Sequence, residues 1–216
     1  MKLKKLVLLS SLLLGLVPLS RAQISGTHHD FRSGVEAAYN PSGEICIVCH
    51  APHNNDATQV PLWNHVTTSA TFTPYTGYNT HFTAGQPDGT SKLCLSCHDG
   101  VTAVNAYGNG GGLQDTMSTP RTLLMGALSS RSNMTTDMRT THPVSFVYDG
   151  TLTAANPTLW DTSSTSHLGH SIGVDMLDKN GKVQCTSCHE VHGTAYWKFQ
   201  RMSNVGSALC LTCHKK

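Results

Sequence analysis

The eight cysteines of this 216-residue chain fall into four copies of one pattern, C-x-x-C-H, and none is left over. Two thiols at this spacing can bond the two vinyl groups of one porphyrin, and the adjacent imidazole can ligate its iron as the proximal ligand. We therefore expect four covalently attached haem c groups. The attaching thiols are Cys46, Cys49, Cys94, Cys97, Cys185, Cys188, Cys210 and Cys213, and the proximal iron ligands are His50, His98, His189 and His214.

Three other uses of paired cysteines fit the pattern less well. A disulfide framework suits a secreted chain with an even cysteine count, but it gives no reason for a histidine after every second cysteine. A zinc ribbon could use the last two pairs, but it leaves the first two unexplained. A thioredoxin-like motif needs a βαβ context, which this sequence does not contain.

Nine histidines remain after the proximal ligands are assigned, which is more than the four needed to close every iron. Met117 and the five methionines that follow it lie away from the haem motifs, so histidine is the favoured sixth ligand. A second protein ligand closes the iron to substrates, which favours electron transfer over catalysis. The nine are His28, His29, His53, His65, His81, His142, His167, His170 and His192.

Two of these histidines, His53 and His192, each follow a proximal histidine by three residues. One porphyrin cannot take both rings of such a pair on opposite faces. On a short helical turn the second ring instead points toward a neighbouring haem, which predicts that haems lie close together.

The elements that position these groups have too few apolar side chains for an ordinary core, because only 38% of the residues are hydrophobic and 6% aromatic. Long stretches rich in Ser, Thr, Asn and Gly favour loops. We predict a fold that is mainly coil with short α-helices and minimal β structure, in which porphyrin replaces much of the hydrophobic core and the haem-free chain is unfolded. The motifs should lie on helical turns, Gly206 to Lys215 should be the best short helix, and Val144 to Tyr148 should be a strand that ends in a turn at Asp149-Gly150.

The N-terminus predicts export. Residues 1–22 combine basic residues, a short apolar run and a small-residue cleavage site, as in a signal peptide, and the run is too short and interrupted for a membrane anchor. We expect a mature domain over 23–216 without a membrane span, secreted to the extracellular space or outer surface, with the periplasm as the alternative. The first two haems would belong to about 23–110, a connecting region to about 111–180, and the last two haems to about 181–216.

Loss of the signal also changes the charge. Lysine and arginine fall from 15 to 11 against 13 acidic residues, a formal charge of −2. A nucleic-acid partner, which needs a basic surface, is therefore not expected.

Six segments in this order resemble the tetrahaem members of the doubled C-x-x-C-H cytochromes, including the outer-membrane cytochrome E type that polymerises into extracellular filaments, or nanowires. The segments are His28 to Phe31, Cys49 to Asn54, Pro61 to His65, Cys94 to Gly100, His142 to Phe146 and Cys185 to Gly193. The resemblance implies four stacked bis-His haems, little regular secondary structure and subunits joined head to tail.

The same resemblance implies distal ligation by His29, His53, His142 and His192, with His65 as first reserve. It maps His53 onto the histidine that ligates the last haem of the adjacent subunit. The choice among His28, His29, His65, His81, His167 and His170 stays open on the sequence alone.

Three functions are compatible with these features. The first is a filament subunit that passes electrons to other redox proteins or extracellular acceptors, and the second is a monomeric periplasmic shuttle. The third is a multihaem reductase, which would need an open iron. The abundance of histidine favours a protein that is not an enzyme.

Overall fold

The computed structural model describes residues 23–34, 37–38, 40, 43–53, 62–77, 81–108, 123–193 and 195–215. The predicted signal peptide lies outside the described residues. So does the beginning of the predicted connecting region, up to residue 122.

The described chain is mostly coil with short helices, as predicted. The longest helix, α1, has ten residues and carries the second haem motif. The α-helices are α1 Gly89–His98, α2 Met125–Leu128, α3 Gly150–Ala155, α4 Ile172–Asp175, α5 Cys185–Cys188 and α6 Ala208–Leu211, and two 3₁₀ turns span Trp197–Phe199 and Val205–Ser207. No helix in these ranges has the length and apolar character of a membrane span.

The C-terminal helix is shorter than the sequence predicted. Gly206 and Ser207 have positive φ values of 65° and 64°, which interrupt the expected helix. The α-helical part is therefore limited to Ala208–Leu211, and α1 is the best helix of the described chain.

Apart from isolated β-bridges, the β structure of the described residues is one antiparallel pair of two-residue strands, β1 Phe146–Val147 and β2 Lys182–Val183. Strand β1 lies inside the predicted strand segment. The predicted turn at Asp149-Gly150 is wrong, because Asp149 is the N-cap of α3 and its Oδ1 accepts a hydrogen bond of 2.9 Å from the backbone N–H of Leu152. Aspartate is among the preferred residues at that position because its side chain satisfies an otherwise unpaired helix donor.

Buried apolar side chains form three clusters. The largest lies beside the last two haem motifs and draws most of its members from the segment before them: Phe146, Tyr148, Leu152, Leu159, Ile172, Met176, Val183 and Leu209. The second cluster contains Phe31, Val48, Val104, Tyr107 and Met125, and the third contains Phe72, Leu95 and Met138. The region that carries no haem motif therefore provides most of the side-chain core.

Candidate haem centres

Each C-x-x-C-H motif forms a helical turn, as predicted. The backbone N–H of His50 donates to the Cys46 carbonyl at 2.8 Å, and the same bond closes the third and fourth motifs at 3.0 Å. The second motif is the end of α1. One turn of helix therefore presents two sulfurs and one imidazole from each motif.

Three of the four proximal histidines face a second histidine from a distant part of the chain. His98 lies opposite His29, with ring centres 6.1 Å apart and planes at 62°. His50 lies opposite His192 at 6.0 Å and 22°.

The third pair joins the fourth motif to the segment before β1. His214 lies opposite His142 at 6.4 Å, with planes at 82°. The three partners His29, His142 and His192 are three of the four histidines that the sequence suggested as distal ligands.

These spacings fit an iron between the two rings. A metal–nitrogen bond of about 2 Å on each side places the centres of two axial imidazoles roughly 6 Å apart. A second observation fits a haem near the first motif, because the indole N–H of Trp63 is buried without a hydrogen-bond partner in the described chain, and Trp63 forms a β-bridge with His50. A haem propionate is an acceptor of the kind that this donor lacks.

His189 has a different environment. Its Nδ1 lies 3.0 Å from the Lys198 carbonyl, which fixes the ring and leaves Nε2 for iron. Within the described ranges no imidazole stacks on His189 or faces it edge-on, and the ring is exposed beside a groove of about 360 Å³ that His192 and Arg201 also line. Among the described residues, the third motif therefore has a proximal ligand without a partner ring.

His53 is exposed and faces none of the proximal rings. The same holds for His28, His81, His167 and His170. These five rings lie outside the three pairs.

The reserve ligand His65 lies between two backbone carbonyls. Its side chain is fully buried, and its two ring nitrogens lie 2.8 Å from the Val66 carbonyl and 3.1 Å from the Val104 carbonyl. A neutral imidazole has one N–H, so the ring can donate to only one of these two carbonyls, and its Nε2 also lies 3.4 Å from the Cys97 thiol. Burial lowers the pKa of His65.

Burial shifts the pKa of several of these groups toward the neutral form, whereas a hydrogen bond from Cys94 lowers the pKa of the Cys185 thiol to about 7. Burial, helped by the neighbouring imidazoles of His98, His28 and His192, lowers the pKa of His29 to about 4. Burial also raises the pKa of the Cys49, Cys97 and Cys213 thiols to about 12. Neutral imidazole is the form that binds a metal, while protonated thiols of this kind are poor nucleophiles.

The four motifs are neighbours in chain order. Cys97 contributes to the raised pKa of Cys49, which links the first motif to the second. A hydrogen bond between the Cys94 and Cys185 thiols raises the pKa of Cys94 and links the second to the third. Cys188 contributes to the raised pKa of Cys213, which links the third to the fourth.

The sequence analysis did not single out Gln184, which joins the second and third motifs. Its buried amide oxygen accepts a hydrogen bond of 2.5 Å from the Ser91 hydroxyl in α1, and its amide nitrogen donates to Asp88 and Asp178 at 3.0 and 2.9 Å. The Ser91 hydroxyl in turn accepts from the backbone N–H of Cys185 at 3.0 Å. The sequence signal for this role was a glutamine directly before a motif with a serine three residues later. In the structure the backbone N–H of Gln184 donates to the hydroxyl of that serine, Ser187.

Asp99 anchors the loop after the second motif and was also missed. Its buried carboxylate accepts four hydrogen bonds of 2.6 to 2.9 Å, from the Thr68 and Thr102 hydroxyls and from the backbone N–H groups of Val101 and Thr102. The position directly after His98 was the only sequence signal for this role.

Comparison with known families agrees with this chemistry. Residues 179–216 match the model of the doubled CXXCH motif family, which covers the third and fourth motifs. The match supports a multihaem c-type cytochrome, that is, a haem-binding electron-transfer protein with covalently bound haem c. No curated protein matches the chain.

The structure gives no support to the other uses of paired cysteines. All eight cysteines lie within the described ranges, and none forms a disulfide. In the same ranges, no group of three or more His, Cys, Asp or Glu side chains converges as a zinc ribbon would require.

Proposed function

We propose that this protein carries four c-type haems in one row and transfers electrons along it as the subunit of an extracellular filament. The observation that carries the proposal is the set of three imidazole pairs, each of which joins a C-x-x-C-H histidine to a histidine from elsewhere in the chain at 6.0 to 6.4 Å. An iron held between two imidazoles has no position open to substrate, so the chemistry left to it is one-electron transfer.

The contacts between motifs support an order for the row. The first and second motifs are close through Cys49 and Cys97, and the second and third through Cys94 and Cys185. His192 also helps to lower the pKa of His29. His192 belongs to the pair of the first motif and His29 to the pair of the second. We therefore propose that electrons pass through the haems in the order of their motifs.

The unpaired His189 supports assembly. We assign the missing ligand to a second copy of the chain and, from the family resemblance, to its exposed His53. The resemblance places the inter-subunit ligand on the last haem, but His214 already faces His142, so we assign it to the third haem instead. A head-to-tail contact that does not close into a ring produces a filament.

Ligation is tested on the holoprotein by haem counting and low-temperature electron paramagnetic resonance (EPR). We expect four covalent haems. The three in-chain pairs should give different low-spin signals, because the angle between axial imidazole planes sets the anisotropy of the signal and the angles here are 22°, 62° and 82°. His142→Ala should convert one haem to a high-spin form, whereas His81→Ala, which removes an exposed ring outside the pairs, should leave the spectrum unchanged. A colourless protein with free thiols would refute the proposal.

Assembly is tested separately by negative-stain microscopy and sedimentation. Wild-type protein should form rods with all four haems low-spin, and His53→Ala should abolish the rods and leave the third haem high-spin. A wild-type protein that sediments as one monomeric species with four low-spin haems would instead support the periplasmic shuttle. A wild-type monomer with one high-spin haem would support a reductase.

A further inference from the structure

The turn Trp197–Phe199 lies against the histidines of two neighbouring haem sites. The Phe199 ring stacks on His29, with ring centres 4.7 Å apart and planes only 12° apart. The carbonyl of the preceding residue, Lys198, accepts from Nδ1 of His189 at 3.0 Å. We propose that this turn positions the axial ligands of two haems, with Phe199 setting the ring orientation of His29 at the second haem and Lys198 holding His189 at the third.

The backbone of the turn is strained. Lys198 and Phe199 have consecutive positive φ values of 56° and 58°. A bulky residue rarely adopts this conformation, and such strain persists only where the surrounding structure imposes it.

Hydrogen bonds on both sides impose the strained conformation. The Phe199 carbonyl accepts from the backbone N–H of Glu190 at 2.7 Å, and the backbone N–H of Arg201 donates to the Cys188 carbonyl at 3.0 Å. The turn is therefore fastened to the third motif while its aromatic ring reaches the ligand of the second.

Stacking is the contact that orients the His29 ring. The described residues provide this imidazole with no hydrogen-bond partner, whereas the opposite ring, His98, has its Nδ1 2.8 Å from the Ser132 carbonyl. The angle of 62° between His29 and His98 therefore depends on the Phe199 ring on one side of the pair and on a backbone carbonyl on the other.

The neighbouring Trp197 supplies a matched control. Its side chain is 77% exposed, and its ring contacts the Lys198 ammonium at 4.1 Å rather than a histidine. Removing the Trp197 ring changes the same turn without touching a ligand.

This inference rests on the proposed function, because it requires an iron between His29 and His98. Phe199→Gly removes the ring and keeps the turn, since glycine adopts positive φ without steric cost. In the holoprotein we expect four haems, loss of one low-spin EPR signal from its wild-type position with the others unchanged, and a shifted reduction potential for that haem. Phe199→Tyr should restore the signal, and Trp197→Ala should leave all signals in place.

The possible outcomes distinguish a failure of the proposed function from a failure of the positioning role of Phe199. A wild-type protein without low-spin bis-His signals would refute the proposed function. A wild-type protein with those signals, all of which stay unchanged in Phe199→Gly, would overturn the positioning role alone. A Phe199→Gly protein that loses haem would also overturn it, since the ring would then be needed for folding rather than for orientation.

Discussion

The surroundings of the first two haem motifs differ from those of the last two. Near the first two, many of the buried side chains are polar and bind the loops by hydrogen bonds: Asn64, His65, Thr68, Ser96, Asp99 and Asn105. Beside the last two, eight buried side chains form one apolar cluster. The second region therefore has one large hydrophobic cluster, whereas the first combines two smaller apolar clusters with polar networks and with the haems that we propose.

This difference refines the expectation that the haem-free chain is unfolded. Hydrophobic burial is non-directional and persists when local geometry is disturbed. A network such as that of Asp99 needs all its partners in place, and an unsatisfied buried polar group is costly. Losing the haems should therefore affect the two regions unequally.

The largest effect should come from removing the haems. Replacing all eight cysteines by alanine should abolish cooperative folding, with amide exchange fastest over 43–108 and residual protection confined to the apolar cluster around Ile172. Hydrogen exchange measured by mass spectrometry tests this. Equal protection in both regions would show that the two regions do not differ in their dependence on the haems.

A smaller loss should follow from opening the apolar cluster. Ile172 has no exposed surface, and Ile172→Ala should destabilise the protein by about 2–5 kcal/mol through lost burial and a residual cavity. Val174→Ala, a truncation of a 70% exposed side chain on the same helix, is the control and should change stability little. Denaturant unfolding of the holoprotein, followed by tryptophan fluorescence, measures both variants.

The stability of the region around the first two motifs should respond to a substitution that hardly changes side-chain volume. Asp99→Asn replaces an acceptor that receives hydrogen bonds with a donor, and we expect a loss of about 1–3 kcal/mol. The exposed Asp137→Asn, where the carboxylate pairs only with its neighbour Arg139, should cost much less. If the two variants unfold at the same denaturant concentration, the Asp99 network does not stabilise the first region.

The smallest effect concerns a contact between the two regions. Burial by itself raises the pKa of Asp88, but hydrogen bonds from Lys182 and Gln184 outweigh it and hold that pKa below its usual value. The pKa of Asp88 in the folded protein is lower than the unfolded value of about 3.9. The ionised carboxylate therefore adds to the free energy of unfolding at neutral pH, and this contribution is lost as the pH falls below about 4.

Asp88→Asn should therefore cost no more than about 1 kcal/mol at pH 7, since both side chains of the ion pair are partly exposed. The difference from wild type should shrink as the pH falls toward 3. Thermal melts across this pH range test the sign. A difference that grows on acidification would show that the carboxylate is not stabilised in the fold.

Parts of the fold could be predicted because their causes are local. The motif turns at residues 46–50 and 94–98 depend on neighbouring residues, and so does the scarcity of sheet in a chain rich in Ser, Thr and Gly. The cap at Asp149 was missed because an Asp-Gly pair fits a turn as well as a helix start, and the helix that follows is fixed by packing of Leu152 in the apolar cluster.

The sequence by itself determined the chemistry, because two thiols and an imidazole within five residues are held together by the chain and need no fold to be neighbours. Only the tertiary structure decided which distant ring meets each proximal histidine, as with His29 and His98. It also placed His65 between the Val66 and Val104 carbonyls and gave Gln184 and Phe199 their positions. These contacts join residues far apart in the chain, and long-range contacts depend on how the whole chain packs rather than on any local pattern.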